Sequence, residues 1–120
     1  EGSCVVGTDL PGERLESLTR ELRGSFGDRF LGYAMDVTDE TSVRETFDAV
    51  CRHFGGIDIL VPNAGIAFVK ALDTLALKDF RRVYRVNVEG VLLVLKWGMR
   101  LMKSQGTGGD IIFISTKNAP

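Results

Sequence analysis

The sequence predicts an α/β protein: a parallel β-sheet with helices packed on both of its faces. Two features carry this. The short apolar runs are continuous instead of alternating, as in strands buried on both sides. Between them lie segments with helical spacing, in a β-α-β-α-β-α-β order that calls for parallel strands joined by helical crossovers. A third feature agrees: each run empties into Asp, Asn or hydroxyl residues, and the carboxyl ends of parallel strands are where open α/β sheets hold their ligands.

The elements follow in order. Cys4–Thr8 reads as the first strand, ending at Asp9, with Pro11 placed where a first helical turn tolerates a missing N–H. Leu15, Leu18 and Leu22 recur at spacings of three and four, the stripe of an amphipathic helix closed by Gly24 or Gly27. A second strand over Phe30–Met35 ends at Asp36. Thr38 or Asp39 caps the next helix, on which Val43, Phe47, Val50, Cys51 and Phe54 mark an apolar face, and Gly55 and Gly56 stop it. Ile57–Val61 is the third strand. After a loop containing Asn63 and Gly65, a long helix is predicted over Leu77–Ser104, roughly 40 Å at 1.5 Å per residue. The GTGGD turn then leads to a last strand, Ile111–Ile114. No repeat, linker or low-complexity segment interrupts the pattern, so residues 1–120 read as one domain.

Composition narrows the function. The chain has 120 residues, with 15 basic against 16 acidic, and the basic residues form no runs. Neither a nucleic-acid nor an acidic-membrane surface is indicated. The two cysteines, Cys4 and Cys51, lie far apart with only His53 as a histidine, which gives no disulfide framework and no zinc motif. Cysteine usage fits a reducing, cytoplasmic compartment. No apolar stretch reaches the roughly 18 residues of a spanning helix, and the N-terminus has no leader-like pattern. Opening almost directly on a strand suggests a start further upstream.

The strand ends are the candidate site. Asp9 can accept hydrogen bonds from both hydroxyls of an adenosine ribose, and its charge would oppose a 2′-phosphate, so it favours NAD. Strand-end aspartates also serve as helix caps or turn formers. Asn63-Ala64-Gly65 offers small residues and a permissive backbone to a flat group, or is simply a strand-to-helix turn. Asn87 sits seven residues after Phe80 and four before Val91, on the apolar face of the long helix. Unpaired there, its amide would cost about 1–3 kcal/mol, so it requires a partner: backbone, water or a reacting group. Ser115 and Thr116 can orient a substrate oxygen and Lys117 can add charge, but no neighbouring histidine makes either hydroxyl a nucleophile. His53 reads as a solvated residue near a helix C-terminus.

Taken together, these segments resemble the middle of a short-chain dehydrogenase/reductase. The matching residues are GTDL at 7–10, DVTD at 36–39, DILVPNAGIA at 58–67, VNVEG at 86–90 and DIIFIST at 110–116. The resemblance implies a partial Rossmann-type, doubly wound parallel sheet in three α/β/α layers, lacking the first strand and the C-terminal strands. It implies hydride transfer between NAD and a small alcohol or carbonyl substrate, in a homo-oligomer without nucleic-acid or membrane partners. Asp9, Leu10, Asp36, Val37, Asn63, Ala64 and Gly65 match cofactor-side positions. Asn87 matches the asparagine that fixes a proton-relay water, and Thr116, with Ser115 as its rival, matches the hydroxyl that holds the substrate oxygen. Pro62 departs from the pattern, standing where the family commonly has a first asparagine.

The family's glycine-rich phosphate loop is expected before Glu1, and its catalytic tyrosine and lysine after Pro120. Neither Tyr33 nor Tyr84 has a lysine four residues on, so the 120-residue chain is expected not to turn over alone. STKNAP with VPNAG is similar to the dehydrogenase half of bifunctional rhamnulose-1-phosphate aldolase/alcohol dehydrogenases, which would make lactaldehyde the substrate. A response-regulator receiver shares the alternation, but Val61, Pro62 and Asn63 stand where its phosphoacceptor aspartate should be. The remaining alternative is a non-catalytic nucleotide-binding or subunit-interaction module. The family's first strand lies between strands 4–8 and 57–61. Without it, those two strands are expected to pair directly or to take a strand from another chain.

Overall fold

The computed structural model of the protein describes residues 2–114. The chain runs β1 (Val5–Asp9), α1 (Glu13–Phe26), β2 (Phe30–Ala34), α2 (Glu40–Phe54), β3 (Ile59–Leu60), α3 (Leu77–Tyr84), a π-helical segment (Arg85–Gly90), α4 (Val91–Gln105) and β4 (Asp110–Ile111). Both strand pairings are parallel. β1 pairs with β2, Val5 opposite Phe30 and Asp9 opposite Ala34, while β3 pairs with β4, Ile59 opposite Asp110 and Leu60 opposite Ile111. The α/β architecture expected from the strand pattern is therefore present.

Local chemistry explains the helix ends. Asp39, not Thr38, caps α2: its carboxylate accepts the Thr41 N–H at 3.0 Å. Thr38 is drawn the other way, to Asp36. Gly55 ends α2 in the left-handed conformation at φ 82°, and Gly106 ends α4 likewise at φ 76°, a geometry that costs glycine nothing. The core gathers Met35 and Val37 after β2, Val43 and Phe47 of α2, Leu60 of β3, and Val94 and Met102 of α4. Val43 is fully buried, a contribution of about 1.5–3 kcal/mol at the usual area coefficient. Gly98 brings α4 close to the strand, because a Cβ there would stand 2.4 Å from Leu60 Cδ2 and 3.3 Å from Phe47 Cζ.

Several expectations change. The direct pairing of strands 4–8 and 57–61 does not form, and the described strands make two separate parallel pairs. Each pair has its own support: α1 lies on β1 and β2, whereas α2, α4 and β3 meet in the shared core. Val5 of β1 and Ile59 and Val61 at β3 stay 51, 56 and 46% exposed. The third strand shrinks to Ile59–Leu60, since only β4 offers it a ladder. On α1, Leu15 is buried but Leu18 is 46% exposed, because only part of the stripe meets the sheet. Cys51 is exposed at the edge of the α2 face. The predicted long helix is continuous from Leu77 to Gln105 but passes through a π turn at Arg85–Gly90. Its α3 portion buries no residue, which leaves Phe80 exposed rather than facing a core. Helix α2 is also tied to α4 by Glu40, whose carboxylate accepts from Lys96 Nζ and, at 3.2 Å, from Trp97 Nε1.

Candidate functional site

The expected site residues form two groups at the carboxyl ends of the strands. In the first, Asp9 closes β1. Its Oδ1 accepts the Leu10 N–H at 2.8 Å, and its main-chain carbonyl accepts the Met35 N–H at 2.9 Å. The parallel register thus sets Asp9 beside the segment leading from β2 into Asp36 and Val37. Asp36 Oδ1 accepts both the N–H and the hydroxyl of Thr38 at 2.8 Å, and its own N–H donates to Ser42 Oγ at 3.0 Å. These three bonds make a closed turn that fixes the backbone of Val37. Asp9 and Leu10 are exposed, Asp36 is half-buried and Val37 is buried.

The second group lies beyond β3. Asn63, Ala64 and Gly65 form an exposed loop after the buried Pro62. Asn87, in the π segment, grips the next residue from both sides: Oδ1 accepts the Ile66 N–H and Nδ2 donates to the Ile66 carbonyl, each at 2.9 Å. A Cβ at Gly65 would stand 3.6 Å from Asn87 Oδ1, so the loop and the amide are in contact distance. Asn87 is exposed instead of lying on a buried apolar face, so burial forces no partner on it; the partner it takes is backbone, 21 residues away. This commits the carboxamide to the backbone of Ile66. At the end of the π turn the Val91 N–H donates to the Val88 carbonyl, so the Asn87 carbonyl loses its regular donor four residues on. π turns of this kind recur at functional sites.

Val37 joins the two groups. It packs on Gly90 of the π segment, where a Cβ would stand 2.7 Å from Val37 Cγ2 and 3.4 Å from its carbonyl oxygen. Arg85 Nη2 adds a 3.5 Å hydrogen bond to the Thr38 carbonyl. The turn beyond β2 and the segment holding Asn87 thus share one contact surface.

Ser115 and Thr116 lie outside the described residues. Sequence reasoning missed Thr38, Ile66, Arg85 and Gly90. Gly90 carried a signal, a glycine three residues after the helix asparagine, whereas Ile66 contributes only its backbone, which no residue pattern reveals. Among the described residues no cluster of three or more His, Cys, Asp or Glu could hold a metal ion, and no helix is long and apolar enough to cross a membrane.

Comparison with known proteins gives the lineage. Residues 1–120 match the profile of the short chain dehydrogenase family. The chain is 34% identical over 120 residues to the uncharacterized oxidoreductase YuxG of Bacillus subtilis, covering 99% of this chain and 17% of that protein. It is 35% identical over 115 residues to the 3-oxoacyl-(acyl-carrier-protein) reductase FabG of Aquifex aeolicus, covering 96% of this chain and 46% of the reductase. The crystal structure of a short-chain type dehydrogenase/reductase from Mycobacterium marinum superposes with a TM-score of 0.85 at 37% identity, over 93% of this chain and 44% of that one. The chain spans less than half the length of each of these relatives. With its parallel α/β elements and its full-length match, the chain belongs to the short-chain dehydrogenase family, oxidoreductases that bind NAD(P).

Proposed function

We propose that residues 1–120 form a partial Rossmann domain carrying the adenosine side and the proton-relay side of an NAD-dependent oxidoreductase for small alcohols and carbonyls. The observation that carries this reading is the Asn87–Ile66 clamp on a π turn, joined through Gly90 and Val37 to the turn after β2. The donor set fits the cofactor. The exposed Asp9 carboxylate is an acceptor suited to the ribose hydroxyls, with Leu10 beside it. The Asp36 turn presents the Val37 backbone to an adenine edge, and Asn63, Ala64 and Gly65 leave room for a flat group. A 2′-phosphate at Asp9 would meet a like charge, which favours NAD over NADP.

NAD, held by Asp9, Leu10, Asp36, Val37 and Asn63 to Gly65, would supply the hydride acceptor. The chain's own residues would hold the substrate oxygen and a relay water, and they include no tyrosine–lysine pair to take the proton. In this reading Thr116, or Ser115, holds the substrate oxygen, and the main-chain carbonyl of Asn87 accepts from a relay water that its side chain positions. The 120 residues contain neither a glycine-rich phosphate loop nor a YxxxK pair, so the chain by itself is inactive. Lactaldehyde is the favoured substrate, on the resemblance of STKNAP and VPNAG to aldolase-linked dehydrogenases. That the chain covers only 17% of YuxG fits a dehydrogenase region within a much larger protein. The exposed face of Leu77, Phe80 and Tyr84 on α3 supports a homo-oligomeric contact, the two widely separated cysteines favour a cytoplasmic enzyme, and the absence of basic runs disfavours nucleic-acid partners.

The test is a nuclear magnetic resonance titration of the chain with AMP and with adenosine 2′-monophosphate. We expect millimolar binding of AMP, about −4 kcal/mol, with shifts centred on Asp9, Asp36 and Val37, and weaker binding of the 2′-phosphate. Equal or tighter binding of the 2′-phosphate would overturn the NAD preference, and shifts elsewhere would overturn the site.

A further inference from the structure

The π segment and the last residue of helix α4 each carry a carboxamide locked onto the backbone of another segment. At the near end Asn87 pairs with both the N–H and the carbonyl of Ile66, just after β3. At the far end Gln105 repeats the arrangement on Ile57, just before β3: Oε1 accepts the Ile57 N–H at 3.0 Å and Nε2 donates to the Ile57 carbonyl at 2.7 Å. Nε2 also donates to the Gly108 carbonyl at 2.8 Å, which ties in the turn leading to β4. The Gln105 site is built closely. Gln105 and Ile57 are both half-buried, and a Cβ at Gly56 would stand 2.5 Å from Gln105 Oε1.

We propose that Gln105 is a positioning residue for Asn87, acting through the helix that joins them. An amide paired with both the donor and the acceptor of one residue fixes direction as well as distance. Two such pairs, about 27 Å apart at 1.5 Å per residue, bracket β3 and hold the helix against it in a single register. Gly98 against Leu60 sets the separation midway and the Glu40 bonds to Lys96 and Trp97 tie the helix to α2, while the two carboxamides tie it directionally to the segments flanking β3. A shift of one residue along the helix moves each side chain about 1.5 Å and 100° and breaks both clamps. Releasing Gln105 therefore loosens the register at Asn87, and with it the main-chain carbonyl assigned to the relay water. The inference rests on the proposed role of Asn87 for its functional meaning, whereas its structural content can be tested without activity.

The experiment compares the chain with Gln105→Ala and Gln105→Glu by ¹⁵N-resolved amide exchange and by the side-chain NH₂ resonance of Asn87. Gln105→Glu keeps the acceptor for the Ile57 N–H and loses both donors, so it reports even if Gln105→Ala fails to fold. We expect exchange at Ile66 to quicken on the order of ten-fold in Gln105→Ala, less in Gln105→Glu, with the Asn87 NH₂ resonance displaced in both and β2 amides such as Tyr33 unchanged. Faster exchange at Ile57 alone, with Ile66 and the Asn87 resonance as in the parent, would overturn the proposal and leave Gln105 a local tie. The AMP titration reads the other group of residues, so failure of one reading is distinguishable from failure of the other.

Discussion

Replacing Asn87 by alanine removes two hydrogen bonds and fills nothing in their place. Each is a neutral amide bond with a net worth of about 0.5–1.5 kcal/mol. The surroundings are exposed, so water can reach the freed Ile66 groups and the sum falls in the lower part of the range, about 1–2 kcal/mol. For a chain of this size that corresponds to a melting temperature lower by about 4–8 °C. Asn87→Asp refines the test. One carboxylate oxygen can still accept the Ile66 N–H, but the other takes the place of Nδ2, 2.9 Å from the Ile66 carbonyl. Protonation restores the lost donor, and the N–H bond remains available to the neutral form. The folded pKa of the new carboxyl is therefore raised above its unfolded value of about 3.9. The penalty is absent below that value, appears as pH rises through the raised pKa, and is complete at neutral pH. Urea unfolding of the parent and both variants across the acid range measures this directly. An Asn87→Ala cost under about 0.5 kcal/mol, or an Asn87→Asp penalty that grows toward low pH, would refute the clamp.

Two further predictions follow from neighbouring contacts. Gly90→Ala places a methyl against Val37, so overpacking should cost about 1–3 kcal/mol and shift the Val37 amide together with that of Ile66; unfolding and heteronuclear spectra check this, and an unshifted Val37 would contradict the contact. Glu40 has its pKa held below the ordinary 4.5, first by the hydrogen bond from Lys96, against desolvation, with the charges of Lys96 and Arg100 and the Trp97 indole adding. A depressed carboxyl contributes stability above its unfolded pKa and loses it as pH falls through the folded value. Glu40→Gln should therefore flatten the fall in melting temperature below pH 4.5, and a variant that keeps the parent's slope there would show that the pair does not contribute.

Much of this protein was legible along the chain because the chemistry involved is local. Asp39 caps α2 through an amide two residues on, Gly55 ends it because a left-handed turn suits glycine, and the continuous apolar runs announce parallel strands wherever they pair. The strand-end residues Asp9, Asp36 and Asn63 could be named for the same reason, since position in an α/β chain sets which edge they reach. What the tertiary structure alone decided depends on partners distant in sequence. Leu18 and Phe80 carry a core-like spacing yet stay exposed, since spacing marks a face but not what covers it. Residues 57–61 keep only two residues in a strand, because the length of a ladder belongs to the pair. Asn87 was expected on a buried face, and only the fold shows that it is exposed, that its partner is the backbone of Ile66, that it sits in a π turn, and that Gln105 makes the matching grip on Ile57 at the other end of the helix. Backbone groups are the same in every residue, so a side chain that binds backbone leaves no trace of its partner in the sequence.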